Sequence, residues 1–368
     1  MTCRKKREIE DTTYKYKHVF FLLFHHQREK KEVDVVVVKR HKEMFCTIGL
    51  IFILYVSYRL YRHFFPTPNI DPRGKYVLIS GCDTGFGNGL AIELDRKGFN
   101  VLAGVFLDSN VSILKAKLSQ NATVFQLDIT KQKSIDDVYD LIKSKTKVLH
   151  ALVNNAGIGV SGYIDWTSMD LLRKVMEVNF FGHVAMTKKF LPLLIAKRNS
   201  RVVNLCSVAG YLASPSMSAY CASKYALESF SDCLRREMIP WDLRVSILEP
   251  GFMKTPIIEG IRQTFDEFWN GLSNEVQERW GQEYLRGHHT ELEKNVLIKY
   301  AEDPAKVVHA LEHAVVNTAP KIRYRPGWQS GVVFFPLSML PAGFFDWLLF
   351  KSYEARGIPA SVQKQIQG

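Results

Sequence analysis

Short runs rich in valine, isoleucine and leucine alternate with amphipathic segments from Gly74 onwards, and this alternation constrains the fold more than any other feature. The runs are KYVLIS (75–80), NVLAGVF (100–106), ATVFQL (122–127), HALVNN (150–155), RVVNLCS (201–207), LRVSILE (243–249) and KIRYR (321–325). Nearly all their residues are apolar, which is typical of parallel strands buried on both faces. The pattern predicts an α/β fold with a doubly wound, mostly parallel seven-stranded sheet flanked by helices.

Composition and spacing argue against two classes of function. The 368-residue chain has a formal charge of +12, but residues 1–43 alone hold twelve Lys/Arg against seven Asp/Glu. The remaining excess is scattered, without the basic stripe interleaved with aromatics that nucleic-acid binding needs. The six cysteines show no CxxC spacing and no HExxH occurs, so we expect free thiols and no metal site.

The first apolar block is the uncharged stretch Met44–Tyr58, which follows the basic leader. A membrane span needs about 18–20 residues. Flanking arginines can snorkel and flanking tyrosines suit the headgroup level, so we predict an N-terminal membrane anchor helix over residues 44–65. A cleaved signal and a buried helix of a soluble domain are the alternatives. Residues 1–43 receive no function, and a natural product that starts at Met44 is a hypothesis.

A glycine-rich turn follows the first predicted strand. In SGCDTGFGNG, Gly81, Gly85 and Gly87 allow a tight turn in which backbone amides approach a pyrophosphate at the start of the next helix. Such a turn between a strand and a helix, within a βαβ unit, is the context that indicates a dinucleotide site. The sheet is therefore predicted to be Rossmann-type.

The GxxxGxG spacing resembles that of short-chain dehydrogenases/reductases, and the resemblance covers most of residues 75–325. NNAG (154–157), VNFFG, Ser207, the YxxxK pair and the Pro250-Gly251 loop follow in the family's order. By this resemblance the catalytic residues are Asn179, Ser207, Tyr220 and Lys224. It also implies cofactor contacts at Gly81, Asp83, Gly85, Phe86, Gly87, Asp128, Asn155, Ala156, Gly157, Tyr220, Lys224, Pro250, Gly251 and Thr255.

The resemblance gives each catalytic residue a role. Tyr220 exchanges a proton with the substrate oxygen, which Ser207 polarises. Lys224, one helical turn after Tyr220, lowers the Tyr220 pKa and holds the nicotinamide ribose, while Asn179 positions a water. A lone YxxxK is usually an ordinary helix pair, but all four residues in order behind a dinucleotide turn favour an enzyme. The alternative is a catalytically silent, cofactor-binding membrane scaffold.

NAD is the favoured cofactor. An acidic residue normally follows the second strand to bind the ribose hydroxyls, but the expected position here falls near Val105 or Phe106, and Asp108 comes late. No Lys or Arg lies between Val101 and Asn110 to bind a 2′-phosphate, and Asp83 adds negative charge. An NADP-dependent carbonyl reductase of the same fold is the alternative.

Two apolar segments indicate a hydrophobic alcohol as substrate. The predicted substrate lid, residues 252–300, contains Phe252, Met253, Phe265, Phe268, Trp269, Trp280 and Tyr284. The alternative is that these aromatics are the packing face of one or two lid helices. Residues 326–368 form an apolar tail broken by prolines, which either lies on a membrane beside the substrate entrance or packs on the core.

The anchor, SGCDTGFG and RYRPGW together resemble the membrane-bound branch that contains retinol dehydrogenases and 17β-hydroxysteroid dehydrogenase type 2. This implies NAD-dependent oxidation of retinol or hydroxysteroids at the endoplasmic reticulum membrane, and a homodimer stays a hypothesis. Ser80 stands where the family commonly has Thr. The sequence leaves the membrane face of the catalytic domain open. Sequons at Asn110 and Asn121 offer a test, because glycans would mark a luminal domain.

Overall fold

The computed structural model describes residues 43–58, 60–61, 64–256, 264–293, 295–353 and 357–367. It divides into two compact units, Met1–Thr67 and Pro68–Gly368. In the first unit, helix α1 (Glu43–Tyr58) is apolar and exposed along nearly its whole length. The predicted leader before Glu43, and Arg59 and Arg62 beside the anchor, lie outside the described residues.

The second unit contains the predicted sheet of seven parallel strands, in the order β3-β2-β1-β4-β5-β6-β7. The strands are β1 (Tyr76–Ile79), β2 (Asn100–Val105), β3 (Thr123–Gln126), β4 (Ala151–Asn154), β5 (Arg201–Leu205), β6 (Arg244–Leu248) and β7 (Arg323–Tyr324). Each lies within its predicted apolar run. The predicted doubly wound fold is confirmed, although β7 keeps only two residues of KIRYR.

Successive side chains of each strand enter two separate cores, because a strand alternates its faces. Val77, Ile79 and Val101 pack on one face with Leu90 and other side chains of the flanking helices. Leu78, Leu102, Leu152 and Val202 pack on the opposite face, where Phe190 is among their neighbours. The sheet is therefore buried on both sides, as its continuous apolar runs predict.

Helices connect the strands and cover the two faces. They are α2 (Gly85–Arg96), α3 (Ser109–Lys115), α4 (Gln132–Lys145), α5 (Met169–Met176), α6 (Gly182–Ile195), α7 (Ser218–Glu237) and, before β7, α12 (Ala305–Val316). A π-helical turn, Glu177–Phe181, joins α5 to α6. β1 lies between β2 and β4, so the crossovers leave β1 in opposite directions and open a crevice at the carboxyl ends of these strands.

Four short helices form the described part of the lid, more than the one or two of the packing alternative. They are α8 (Phe265–Asn270), α9 (Asn274–Trp280), α10 (Gln282–Glu293) and α11 (Val296–Lys299), and residues 257–263 lie outside the described residues. Thr264 caps α8 in a capping box with Glu267, and Ser273 caps α9. Gly281, with φ of 78°, ends α9. These caps and breaks divide the segment.

The first residues of the tail pack on the catalytic domain, and a later helix of the tail is exposed. Gln329 and Ser330 are fully buried, and the Gln329 side chain accepts a hydrogen bond from the Phe252 backbone at 3.1 Å. Beyond α13 (Phe335–Ser338), helix α14 (Ala342–Tyr353) exposes Phe344, Trp347 and Phe350. A further helix, α15, covers Ala360–Gln367.

Membrane-spanning length is not reached by any single helix within the described ranges. One bent pair, Gln329–Ser338 with Ala342–Phe350, meets the length and composition of a span with a bend of 116° between its halves. Pro341 lies in this break, in agreement with the prediction that prolines interrupt the tail.

Candidate active site

The glycine turn after β1 is closed so tightly that side chains cannot fit. Gly81 has φ of 71°, and a Cβ there would lie 2.7 Å from the Ala156 Cα. A Cβ on Gly87 would lie 2.5 Å from the Gly81 carbonyl oxygen. The Thr84 side chain at the start of α2 makes no capping hydrogen bond, so the helix start has no side-chain cap from this residue, which suits a pyrophosphate site. The turn therefore fits a dinucleotide.

Ser80 and Asn155 fasten this turn to the NNAG segment. The Ser80 hydroxyl accepts hydrogen bonds from the backbone amides of Asn155 at 3.1 Å and Ala156 at 3.2 Å. The Asn155 side chain donates to the Ser80 carbonyl at 3.0 Å and the Gly81 carbonyl at 2.9 Å. Only a hydroxyl is needed for these contacts, which explains why serine can replace the family's usual threonine.

Asp83 connects the glycine turn to the loop after β2. Its carboxylate accepts hydrogen bonds from the Phe106 amide at 2.8 Å, the Leu107 amide at 3.0 Å and the Asn110 side chain at 2.9 Å. Asp83 thus places a carboxylate beside the end of β2. Sequence analysis did not identify Asn110 as its partner, because 27 residues separate them.

Two other predicted cofactor positions lie on neighbouring loops. Asp128, after β3, accepts hydrogen bonds from the Thr130 amide at 2.9 Å and hydroxyl at 2.7 Å. Thr255 is buried, and its hydroxyl donates to the Met253 carbonyl at 3.3 Å. A Cβ on Gly251 would lie 3.0 Å from the Gln329 Cβ, so the tail backs the Pro250-Gly251 loop.

Asn179 lies in the π-helical turn and is fully buried. Its side chain accepts from the Ile158 amide at 2.9 Å and donates to the Ile158 carbonyl at 2.9 Å. It also donates to the Ser223 hydroxyl at 3.1 Å. Because Ser223 belongs to α7, Asn179 joins the loop after β4 to the helix that carries Tyr220. The π turn aims this side chain inward, and such turns are frequent at functional sites.

Ser207, Tyr220 and Lys224 come together where β5 and α7 approach each other. The Ser207 hydroxyl hydrogen-bonds the Tyr220 side chain and lies 3.5 Å from the Pro250 carbonyl oxygen. The Lys224 ammonium donates to the Leu205 carbonyl at 2.8 Å and lies 5.7 Å from the Tyr220 ring centroid. This arrangement can pass a proton to or from a ligand oxygen at the phenol.

Burial controls the protonation of this pair. It raises the pKa of Tyr220 to about 12, and the hydrogen bond from Ser207 opposes the shift. The net change is opposite to the lowering expected from Lys224, because removing the phenol from water outweighs the stabilisation of the phenolate by Ser207. Burial also lowers the pKa of Lys224, against the opposing effects of Cys206 and Glu228. The phenol is therefore neutral near pH 7 and able to donate a proton.

His183 is a site residue that sequence analysis missed. It is fully buried, and its Nε2 lies 2.7 Å from the Ala156 carbonyl oxygen. Burial, followed by the charge of Lys224, lowers its pKa to about 3, so the ring is neutral and must donate from Nε2 to that carbonyl. The signal was its position one helical turn after Asn179.

A cavity of about 950 Å³ borders the first two turns of α7, and its described lining includes Cys221 but not Ser207, Tyr220 or Lys224. Its walls are Tyr163, Ile164, Asp165, residues 211–216, Ser218, Cys221, Ala222, Tyr225, Trp280, Leu337, Ser338, Leu340, Ala342, Phe345, Asp346 and Leu349. The predicted lid contains seven such residues, six aromatics and one methionine, and only Trp280 among them belongs to this lining. Phe265 instead stacks on Trp269 with 6.2 Å between ring centroids, and Phe268 packs edge-on against Trp166 with 5.5 Å between ring centroids. These lid aromatics therefore pack on other aromatic rings.

Clustered metal ligands are absent from the part of the chain that the structure describes. The five cysteines in that part are free thiols.

A Rossmann-type sheet, a dinucleotide turn at its switch point and an adjacent Ser–Tyr–Lys cluster define an NAD(P)-dependent alcohol oxidoreductase. The chain belongs to the short-chain dehydrogenase family, whose model matches residues 75–266.

Individual relatives agree with this assignment. Retinol dehydrogenase 5 of Mus musculus is 38% identical over 279 residues, covering 74% of this chain and 87% of that protein. A 3beta-hydroxysteroid dehydrogenase of Caenorhabditis elegans is 36% identical over 304 residues, covering 79% and 78%. A solved short-chain dehydrogenase from Streptomyces avermitilis superposes with a TM-score of 0.60 at 25% identity, covering 77% of this chain and 97% of that one.

Proposed function

We propose that this enzyme interconverts a hydrophobic secondary or allylic alcohol, of the retinol or hydroxysteroid class, with its carbonyl compound, using NAD. The observation that carries this proposal is the Ser207–Tyr220–Lys224 cluster, because helix α7, which carries Tyr220 and Lys224, also borders a large, mainly apolar cavity. The names of the relatives from Mus musculus and Caenorhabditis elegans support the same substrate class.

The roles of the cluster follow from its protonation. In carbonyl reduction, the neutral Tyr220 phenol donates its proton to the substrate oxygen while Ser207 hydrogen-bonds that oxygen. In alcohol oxidation, Tyr220 must first lose its proton, so oxidation should speed up as the pH rises. Lys224 and the Pro250-Gly251 loop would hold the nicotinamide end of the cofactor. When bound, NAD supplies the hydride acceptor of the reaction.

NAD is proposed over NADP because of the charge around Asp83. Its carboxylate lies between the glycine turn and the end of β2, where the ribose hydroxyls of a dinucleotide would approach. A 2′-phosphate there would meet a carboxylate rather than a cation. An NADP-dependent carbonyl reductase is the second candidate, and a strong preference for NADPH would identify it.

We assign the chain to the endoplasmic reticulum membrane, with an anchor at residues 44–65 and an interfacial tail at 326–368. Helix α14 supports the tail assignment, because Phe345 and Leu349 line the cavity while Phe344, Trp347 and Phe350 are exposed. One helix thus borders both the cavity and the outer surface. A lipid-dissolved alcohol could pass from the bilayer to the cavity along it.

Nicotinamide reduction by membranes that contain the protein tests the proposal. NAD and NADP are each supplied with all-trans retinol, a 3α-hydroxysteroid or a 17β-hydroxysteroid. We expect turnover with NAD and at least one alcohol, and none after Tyr220→Phe. Cofactor binding without turnover of any alcohol would favour the catalytically silent scaffold instead.

A further inference from the structure

The stripe of α7 that carries the catalytic pair continues with two carboxylates. Tyr220, Lys224, Glu228 and Asp232 follow at four-residue spacing and so share one face of the helix. The Glu228 side chain is only 10% exposed. A buried carboxyl is costly unless it is paired, and the catalytic scheme above gives Glu228 no role.

Arg323, on β7, binds this stripe. Its Nη2 lies 3.2 Å from the Glu228 carboxylate and 3.0 Å from the Asp232 carboxylate. Its Nε lies 2.9 Å from the carboxylate of Glu249, which directly precedes Pro250. One guanidinium therefore connects the catalytic helix to the start of the loop that we assign to the nicotinamide end of the cofactor.

The three carboxylates differ in the number of cationic side chains that pair with them. Glu249 has a second partner in Arg325 at 2.7 Å, and Asp232 has a second partner in Arg235 at 3.3 Å. Among the described residues, Arg323 is the only cation within salt-bridge distance of Glu228. Glu228 is consequently the member of the group that most readily takes up a proton.

Its titration agrees with this geometry. Burial and the neighbouring Glu249 raise the pKa of Glu228 to about 7, against the opposing attraction of Arg323. The groups that face this carboxyl are Arg323 from β7, Glu249 after β6, Cys206 after β5, and Lys224 and Asp232 from α7.

We propose that Glu228 and Arg323 are positioning residues for the reaction: their ion pair holds the catalytic helix against the Pro250-Gly251 loop, and it is complete only while Glu228 is ionised. The inference rests on the proposed function in using NAD as the cofactor. Proton uptake by Glu228 weakens its ion pair with Arg323. Lys224 and the Pro250-Gly251 loop then no longer hold the cofactor in the position that the reaction needs.

The mechanism gives activity and stability opposite pH dependences. A carboxyl whose pKa is raised on folding stabilises the fold at pH values below its unfolded pKa of about 4.3, and that contribution is lost as the pH rises through about 7. Catalysis should instead improve as the pH rises through the same range. A residue with a purely structural role would not separate the two properties in this way.

Glu228→Gln in the full-length, membrane-embedded protein tests the proposal, with Arg323→Lys as a second variant. We expect the kcat/KM of the wild type to fall as the pH drops below about 7. The value for Glu228→Gln should be about tenfold below wild type at pH 8, and the two should converge near pH 6; ionisation of Tyr220 acts on both proteins and leaves their ratio unchanged. Arg323→Lys keeps the charge but loses the multiple contacts, and should fall between the two. Asp137→Asn, in an exposed pair on α4, should keep the wild-type profile.

The NADH dissociation constant, measured by fluorescence over the same pH range, gives a readout that needs no alcohol. We expect it to rise severalfold in the wild type below pH 7 and to stay constant in Glu228→Gln. The inference would be overturned if Glu228→Gln weakened NADH binding by the same factor at every pH. It would also be overturned if the NADH dissociation constant of Glu228→Gln still rose below pH 7 as in the wild type. Failure to oxidise any alcohol would instead reject the proposed function, and the NADH profiles would still decide the role of Glu228.

Discussion

At the scale of single residues, the catalytic proposal depends on one hydroxyl. Tyr220→Phe removes the transferable proton but keeps the ring, so turnover should fall by at least ~100-fold. The NADH dissociation constant should change little, since the Ser207 and Lys224 side chains keep their places. Steady-state kinetics together with NADH fluorescence check both expectations. Tyr225→Phe, which removes a hydroxyl from the same helix at the cavity wall, is the control and should retain turnover.

Asp83 decides cofactor choice in our proposal. Asp83→Asn removes the negative charge and one acceptor from the loop after β2, so discrimination against the 2′-phosphate should weaken. We expect the ratio of kcat/KM for NADP to that for NAD to rise about tenfold, which corresponds to about 1.4 kcal/mol. Asp108→Asn, which removes a carboxylate from the loop after β2 itself, provides the matched control. An unchanged ratio in Asp83→Asn would mean that selectivity resides elsewhere.

Residue contacts were predictable from sequence only where a motif carried them. NNAG and the glycine turn assigned Asn155 and Gly81 to one cofactor site, and the two residues are in contact. His183 had only its position one helical turn after Asn179 as a signal and Glu228 had none, because their partners Ala156 and Arg323 lie 27 and 95 residues away. A single sequence does not tell which distant strand will supply the guanidinium for a buried carboxyl. It also misjudged the pKa of Tyr220, since burial depends on the whole fold.

At the scale of elements, strands were predicted well because burial on both faces leaves long apolar runs. The lid was predicted less well, although its breaks had a readable signal. Thr264 and Glu267 have the spacing of a capping box, and Ser273 precedes a second helix start. Aromatic spacing suggested longer helices, and the caps divide them.

The RYRPGW segment fixes the tail to the catalytic domain through Glu302. That carboxylate accepts hydrogen bonds from the Trp328 amide at 3.1 Å and the Gln329 amide at 3.0 Å. Gly327 has φ of 87°, and a Cβ there would lie 2.3 Å from the Glu302 carboxylate. Gly327→Ala should therefore lower the free energy of unfolding by about 2 kcal/mol or more.

Thermal unfolding in detergent measures this effect. Gly343→Ala is the matched control, because its Cβ would meet no atom within 4 Å and its φ is ordinary. Equal melting temperatures for the two variants would contradict the proposed attachment of the tail.

At the scale of the whole molecule, α14 separates the cavity from the outer surface: one face of the helix lines the cavity and the opposite face is exposed. If that face lies in lipid, it delivers substrate from the bilayer, so its polarity should matter only when the alcohol is dissolved in a membrane. A fully buried side chain of this size contributes about 1.5–3 kcal/mol. Replacing Phe344, Trp347 and Phe350 together by serine should thus raise the KM for an alcohol in lipid vesicles by about tenfold.

The same triple variant should show a wild-type KM when the alcohol is supplied in detergent micelles, because the cavity itself is unchanged. Ile239→Ser with Trp241→Ser removes exposed apolar side chains from a different surface and should alter neither value. If the triple variant raised both KM values equally, α14 would be acting on the shape of the cavity, and delivery from lipid would have to be abandoned. An effect confined to vesicles would instead mean that the membrane is part of the substrate site.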